Sequence, residues 1–123
     1  RTGDEEGCTR HEDGSVTTPA GFKEAWDQFV AGGWTTLHSP QEFGGQGLPS
    51  VVSTALSEYL CSSNHSFEMY NGLTQGAIAA ILVKGSPEQQ QTYLPKMVSG
   101  QWTGTMNLTE PHCGTDLGLL KSK

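Results

Sequence analysis

Gly85-Ser86-Pro87-Glu88-Gln89-Gln90-Gln91-Thr92-Tyr93-Leu94-Pro95-Lys96-Met97-Val98-Ser99-Gly100 is the stretch on which the reading of the fold turns. Ser86-x-x-Gln89 is a capping box, in which the hydroxyl accepts from the Gln89 amide and the Gln89 side chain reaches back to the Ser86 amide. Tyr93, Leu94, Met97 and Val98 follow at helical spacing. Pro95 removes a donor and should kink or divide the helix. After Gly100 the pattern changes. Trp102 to Thr109 alternates and is rich in β-formers, so it reads as a strand. Glu110 to Asp116 reads as a loop, and Leu117 to Lys123 as the start of another strand.

Upstream, the pattern is helical. Thr18-Pro19 opens a first helix, with Thr18 as cap; Phe22, Ala25, Trp26, Phe29 and Val30 share a face, and Gly32-Gly33 stop it. Trp34 to Gly47 is a loop with Ser39-Pro40 and Gly44-Gly45-Gln46-Gly47 as turn signals. Pro49 starts a second helix carrying Val51, Val52, Ala55, Leu56, Tyr59 and Leu60. Ser62 to Gly72 is ambiguous, and Asn71-Gly72 reads as a break. Leu73 to Val83 is a third helix, apolar nearly all round, which predicts burial. Helices followed by strands predict a mainly α chain: a polar leader over 1–18, a helical domain over 19–100, and the opening of a β domain over 101–123.

Composition narrows the function. The 123 residues carry a formal charge of −6 and are 34% hydrophobic. Arg1 to Thr18 hold a single aliphatic residue, Val16. No Lys/Arg cluster provides the electrostatic footprint of a nucleic-acid binder. The longest apolar run, Ala77 to Val83, falls far short of the roughly 20 residues of a membrane span. Cys8, Cys61 and Cys113 are odd in number and widely separated, which favours free thiols in a reducing, cytoplasmic setting. The sequence starts at Arg1 and stops after Lys121-Ser122-Lys123 without a terminating element, so it reads as a piece of something longer.

His11, His38, His65 and His112, with the three cysteines, invite a metal. No C-x-x-C or H-x-x-x-H spacing exists and only His112 and Cys113 are adjacent, so no metal site is expected. No G-x-S-x-G elbow is present. The Gly44 to Gly47 loop reads as a tight turn, because it does not join a strand to a helix as a phosphate-binding loop would. Met106 to Asp116 is more informative. A strand end running into Gly114-Thr115-Asp116 gathers amides and hydroxyls that can donate to an electron-rich heterocycle or a phosphate. A plain strand-to-loop turn is the competing reading.

Thr109-Glu110-Pro111-His112-Cys113-Gly114-Thr115-Asp116 resembles the flavin-binding signature of acyl-CoA dehydrogenases, Thr-Glu-Pro-x-x-Gly-Ser-Asp. Gly33-Trp34 with Pro40 to Leu48 resembles that family's loop between helices, and Gly85 to Gly100 the stretch leading to the signature. Gly104 to Pro111 and Met69 to Gly76 are most similar to the 3-(methylthio)propanoyl-CoA dehydrogenase-like branch. The resemblance implies an N-terminal helical domain, here partial, followed by the first strands of a middle β domain, with a C-terminal helical bundle beyond. It implies FAD as cofactor, with Met106, Asn107, Leu108 and Thr109 along the flavin and Gly114 and Thr115 near its pyrophosphate. Thr115, in place of the family's Ser, would also meet the acyl-CoA substrate. In the family a Glu of the C-terminal bundle removes the α proton, and hydride leaves the β carbon for flavin N5, giving a trans-2-enoyl-CoA. That base has no counterpart here, so the chain contributes no catalytic residue and is expected to be inert alone. Electrons would pass to an electron-transferring flavoprotein, and the full-length protein would be a dimer or tetramer. The alternatives are a flavoprotein of the DNA-alkylation-response type, which the negative charge disfavours, and an acyl-CoA oxidase.

Overall fold

The structure, a computed structural model, describes residues 2–122. The stretch expected to be a bare polar leader is folded. It forms α1 (Thr2–Glu6) and a hairpin of β1 (Thr9–Arg10) and β2 (Val16–Thr17), with Thr9 opposite Thr17 and Arg10 opposite Val16. Asp13 closes the hairpin turn, accepting from the Ser15 amide at 2.9 Å and its hydroxyl at 2.7 Å. Asp13-Gly14 was the legible signal for it. Glu6 anchors the segment by accepting from the Ala20 amide at 3.0 Å.

That anchor shifts the start of the next helix. α2 spans Phe22–Ala31, not from Thr18, and Gly21 precedes it without any side-chain cap. The Ala20 amide is committed to Glu6, and the Pro19 carbonyl accepts from Phe22 at 3.1 Å in a turn, so the chain stays non-helical until Phe22. After α2 come 3-10 turns at Trp34–Thr36 and Gln41–Phe43. The glycine-rich loop behaves as the tight turn expected. Its amides at Gly45, Gln46 and Gly47 donate to the carbonyls of Pro40, Thr36 and Ser39 at 2.8–3.0 Å, so they are spent on the chain itself.

The expected second and third helices are one element, α3 (Ser50–Lys84), bent at Asn64 (φ −156°, ψ 90°). The break falls there and not at Asn71-Gly72. The Asn64 side chain caps the second segment by accepting from the Phe67 amide at 3.2 Å, the usual use of Asn at such a position. Asn71 stays helical because it belongs to the buried stripe Phe67, Asn71, Thr74 and Ile78. Burial of Leu73 to Val83 is limited to that stripe: Val83 is 74% exposed, since only one face meets other described elements.

α4 (Pro87–Val98) forms with both halves of its capping box, at 3.2 Å and 2.8 Å. It continues through Pro95, contrary to the expected division. Pro95 and Gln91 are exposed, so water can take the carbonyl left without a donor, while Leu94, Met97 and Val98 hold the opposite face. Ser86→Ala is expected to lower stability by about 1 kcal/mol, read as a shifted denaturant midpoint with an unchanged slope.

Two apolar clusters result. Phe22, Phe29 and Phe67 pack with Trp26 and Tyr70, with Phe29 edge-on to Phe67 at 5.7 Å between ring centroids. Phe43, Ile78, Leu94, Met97 and Val98 form the other, between α3 and α4. Among the described residues no helix is long and apolar enough to cross a membrane. Trp102 to Thr109 is irregular and pairs with no strand among the described residues, and Leu117–Leu119 is a 3-10 turn instead of a strand. A strand needs a neighbour to accept its ladder, and none is present among the described residues.

Candidate functional site

The irregular segment after α4 is pinned to the helices at its start. The Trp102 amide donates to the Lys96 carbonyl at 3.1 Å, and the Lys96 ammonium lies 4.2 Å from the Trp102 ring. The Gly104 amide donates to the Thr74 hydroxyl at 3.0 Å, and that hydroxyl donates to the Tyr70 carbonyl at 2.7 Å. From Thr105 to Thr109 the backbone makes no such bond among the described residues. Met106, Asn107, Leu108 and Thr109 are exposed, and among the described residues their amides donate to no backbone carbonyl. The Thr109 hydroxyl also has no partner there.

Glu110 and Cys113 exchange amide-to-carbonyl bonds at 3.0 and 3.1 Å, which turns the chain over Pro111-His112. The Glu110 carboxylate accepts from the Lys121 and Ser122 amides at 3.1 and 2.9 Å, and the His112 Nε2 lies 3.0 Å from the Leu119 carbonyl oxygen. Glu110 thus shapes the loop. The Ser122 side chain, then the Ser122 and Lys121 amides, hold its carboxyl below the usual carboxylate range. A lowered folded-state pKa stabilises this closure at all pH values above the ordinary carboxylate pKa, about 4.3. The contribution is lost as pH falls through the depressed value. Acid titration followed by the Glu110 carboxyl NMR signal is therefore expected to give a midpoint below that of a free Glu.

Gly114 and Thr115 stand exposed after this turn, while Asp116 accepts from the Gly118 amide at 3.1 Å. A side chain added at Gly114 would meet no atom within 4 Å. The chain's own packing therefore does not demand glycine there. Next to α3 lies a cavity of about 210 Å³ whose lining includes His38, Ser57, Glu68, Asn71 and Gln75. The Gln75 amide donates to the Thr35 carbonyl at 3.1 Å, and its buried oxygen has no partner among the described residues. The structure also gathers Cys61, His65 and Glu68, whose ligand atoms lie within 4.8 Å of one another. Sequence reading looked for metal-ligand pairs at standard spacings and passed over this C-x3-H-x2-E pattern on one helix face.

The family model for the N-terminal domain of acyl-CoA dehydrogenases matches residues 8–101. The chain belongs to the acyl-CoA dehydrogenase family. It is 49% identical to a 3-methylmercaptopropionyl-CoA dehydrogenase of Ruegeria pomeroyi over 97% of its length. It is 35% identical to a butyryl-CoA dehydrogenase of Syntrophomonas wolfei and 31% to a broad-specificity linear acyl-CoA dehydrogenase of Mycobacterium tuberculosis, each over 89%. The chain spans about a fifth of the length of these curated relatives, 18–20%. The mostly helical fold agrees with the N-terminal domain of an acyl-CoA dehydrogenase. The family match starts just before β1 and ends just past α4, before the signature loop.

Members of this family are FAD enzymes, and the donor set here fits a flavin. Free amides over Met106 to Thr109, the Thr109 and Thr115 hydroxyls and the open space at Gly114 supply donors and room at one end of the chain. The fit is one of chemistry.

Proposed function

We propose that the protein carrying this chain is an FAD-dependent acyl-CoA dehydrogenase that converts an acyl-CoA thioester to the trans-2-enoyl-CoA, with 3-(methylthio)propanoyl-CoA as a substrate. The observation that carries this reading is the signature loop, Thr109 to Asp116, placed directly after the family's helical domain, with the Thr109 amide and the Thr109 and Thr115 hydroxyls unpartnered among the described residues. The 49% identity to the Ruegeria pomeroyi enzyme supports the substrate. The relatives named above are all dehydrogenases, which favours this reading over the oxidase and DNA-alkylation-response alternatives.

In this reading Met106, Asn107, Leu108 and Thr109 hold the polar edge of the flavin, and Gly114 and Thr115 approach its pyrophosphate. Thr115 also contacts the acyl-CoA. The bound flavin supplies the two-electron oxidant. This chain's part is to bind and orient, because none of its carboxylates is placed as a base; Glu110 is held by the Lys121 and Ser122 amides. The base would come from elsewhere in the full protein. The helical domain runs to about residue 100, and residues 101–123 open the middle β domain, where a neighbouring strand would complete the ladder that Trp102 to Thr109 leaves open. Exposed Val51, Tyr59 and Val83 support cover by further domains or a second subunit of a dimer or tetramer. Free Cys8, Cys61 and Cys113 support a reducing, cytoplasmic setting, and an electron-transferring flavoprotein is the electron acceptor.

Anaerobic mixing of the full-length flavoprotein with 3-(methylthio)propanoyl-CoA should bleach the flavin, and no bleaching with it or with butanoyl-CoA would overturn the reading. Thr109→Val deletes one donor at nearly constant shape. An unsatisfied flavin acceptor costs roughly 1–3 kcal/mol, about five- to over a hundredfold in flavin affinity. Thr109→Ser should restore most of it. Equilibrium flavin titration in which Thr109→Val matches the parent would remove the hydroxyl from the site.

A further inference from the structure

The bend in α3 produces a grouping that the dehydrogenase reading does not use. Cys61 lies in the last turn of the first segment, Asn64 breaks the helix, and His65 and Glu68 lie in the first turn of the second. The break leaves the thiol, imidazole and carboxylate within 4.8 Å of one another, one ligand atom from each. Cys61 and His65 are exposed and Glu68 is half-buried beside the cavity that Ser57 and His38 also line. The Ser57 hydroxyl donates to Glu68 Oε1 at 3.1 Å and lies 4.0 Å from the Cys61 sulfur.

We propose that Cys61, His65 and Glu68 bind a zinc ion that ties the two segments of α3 together across Asn64. A sulfur, an imidazole nitrogen and a carboxylate oxygen are the donor types zinc accepts, and metals that prefer all-oxygen shells are disfavoured by the thiolate. Around tetrahedral zinc, bonds of about 2.0–2.3 Å place neighbouring donors roughly 3.5 Å apart. Exposed side chains can close from 4.8 Å by rotamer changes. The thiol releases its proton to solvent on binding, so thiolate and carboxylate together balance the two charges of the ion. The fourth vertex is left to a water from the adjoining cavity. Ser57 fixes the carboxylate, as groups behind metal ligands commonly do.

The test uses the full-length protein, reduced and stripped with a chelator, with Co2+ and Zn2+ as probes. Co2+ should produce a thiolate-to-cobalt charge-transfer band that saturates at one ion per chain and disappears in Cys61→Ser and His65→Ala. Zn2+ should raise the melting temperature of the parent but not of these variants. Ser57→Ala should weaken zinc binding about ten- to a hundredfold. Both ligand side chains are exposed, so the stripped variants should melt with the stripped parent. On the unmodified protein, zinc should slow alkylation of Cys61 while leaving Cys8, which is also exposed, unprotected. No band, a band that survives Cys61→Ser, one lost in Cys113→Ser instead, or equal alkylation of Cys61 with and without zinc would each overturn the proposal.

Discussion

Leu94→Ala is expected to lower the unfolding free energy of the full-length protein's helical domain by about 2–5 kcal/mol. Leu94 is completely buried in the cluster with Phe43, Ile78, Met97 and Val98. Truncation removes buried methyl groups and leaves a cavity whose walls belong to two helices and the Gln41–Phe43 turn. Those walls resist collapse, because α3 and α4 are also tied together by Gln90, whose amide donates to the Ile81 and Leu82 carbonyls at 3.2 and 3.1 Å. Val30, half-buried and outside this cluster, is a suitable comparison, with Val30→Ala costing less. Chemical denaturation with matched slopes decides it, and equal losses for the two variants would mean that α4 docks more loosely than the packing indicates.

Gly104→Ala is expected to cost about 3 kcal/mol and to weaken flavin binding with it. A Cβ at Gly104 would lie 2.6 Å from the Ala77 Cβ, 3.4 Å from the Thr74 Cα and 3.2 Å from the Met97 methyl. Met97 can turn aside, but the other two atoms are part of the α3 framework. The segment after α4 must therefore lift away, which breaks the bond from the Gly104 amide to the Thr74 hydroxyl. The displaced residues are those proposed to face the flavin. Melting of the flavin-free protein and flavin titration should both change. A variant as stable as the parent would show that the segment has slack at Gly104 and that its position is set elsewhere.

Local chemistry alone accounted for the elements whose determinants lie within a few residues of each other. Ser86 and Gln89 specify the start of α4, and Pro49 starts α3. Each of these contacts is closed by neighbours in sequence, so the pattern carries the geometry. The helical character of the domain and the signature at Thr109 to Asp116 were likewise legible, and the family match agrees with the former.

Tertiary contacts decided the rest. Thr18 does not cap α2 because Glu6, fourteen residues upstream of Ala20, holds the Ala20 amide. Asn71-Gly72 does not break α3 because Asn71 faces the core, whereas Asn64 does break it by capping the turn to Phe67. Pro95 does not divide α4 because the face it weakens is the exposed one. Trp102 to Thr109 has the composition of a strand but no ladder, because strand pairing needs a partner and composition provides none. The Cys61, His65 and Glu68 grouping has the i, i+4, i+7 spacing of one helix face, but it falls in Ser62 to Gly72, whose sequence did not read as helix; the packing of α3 makes that stretch helical.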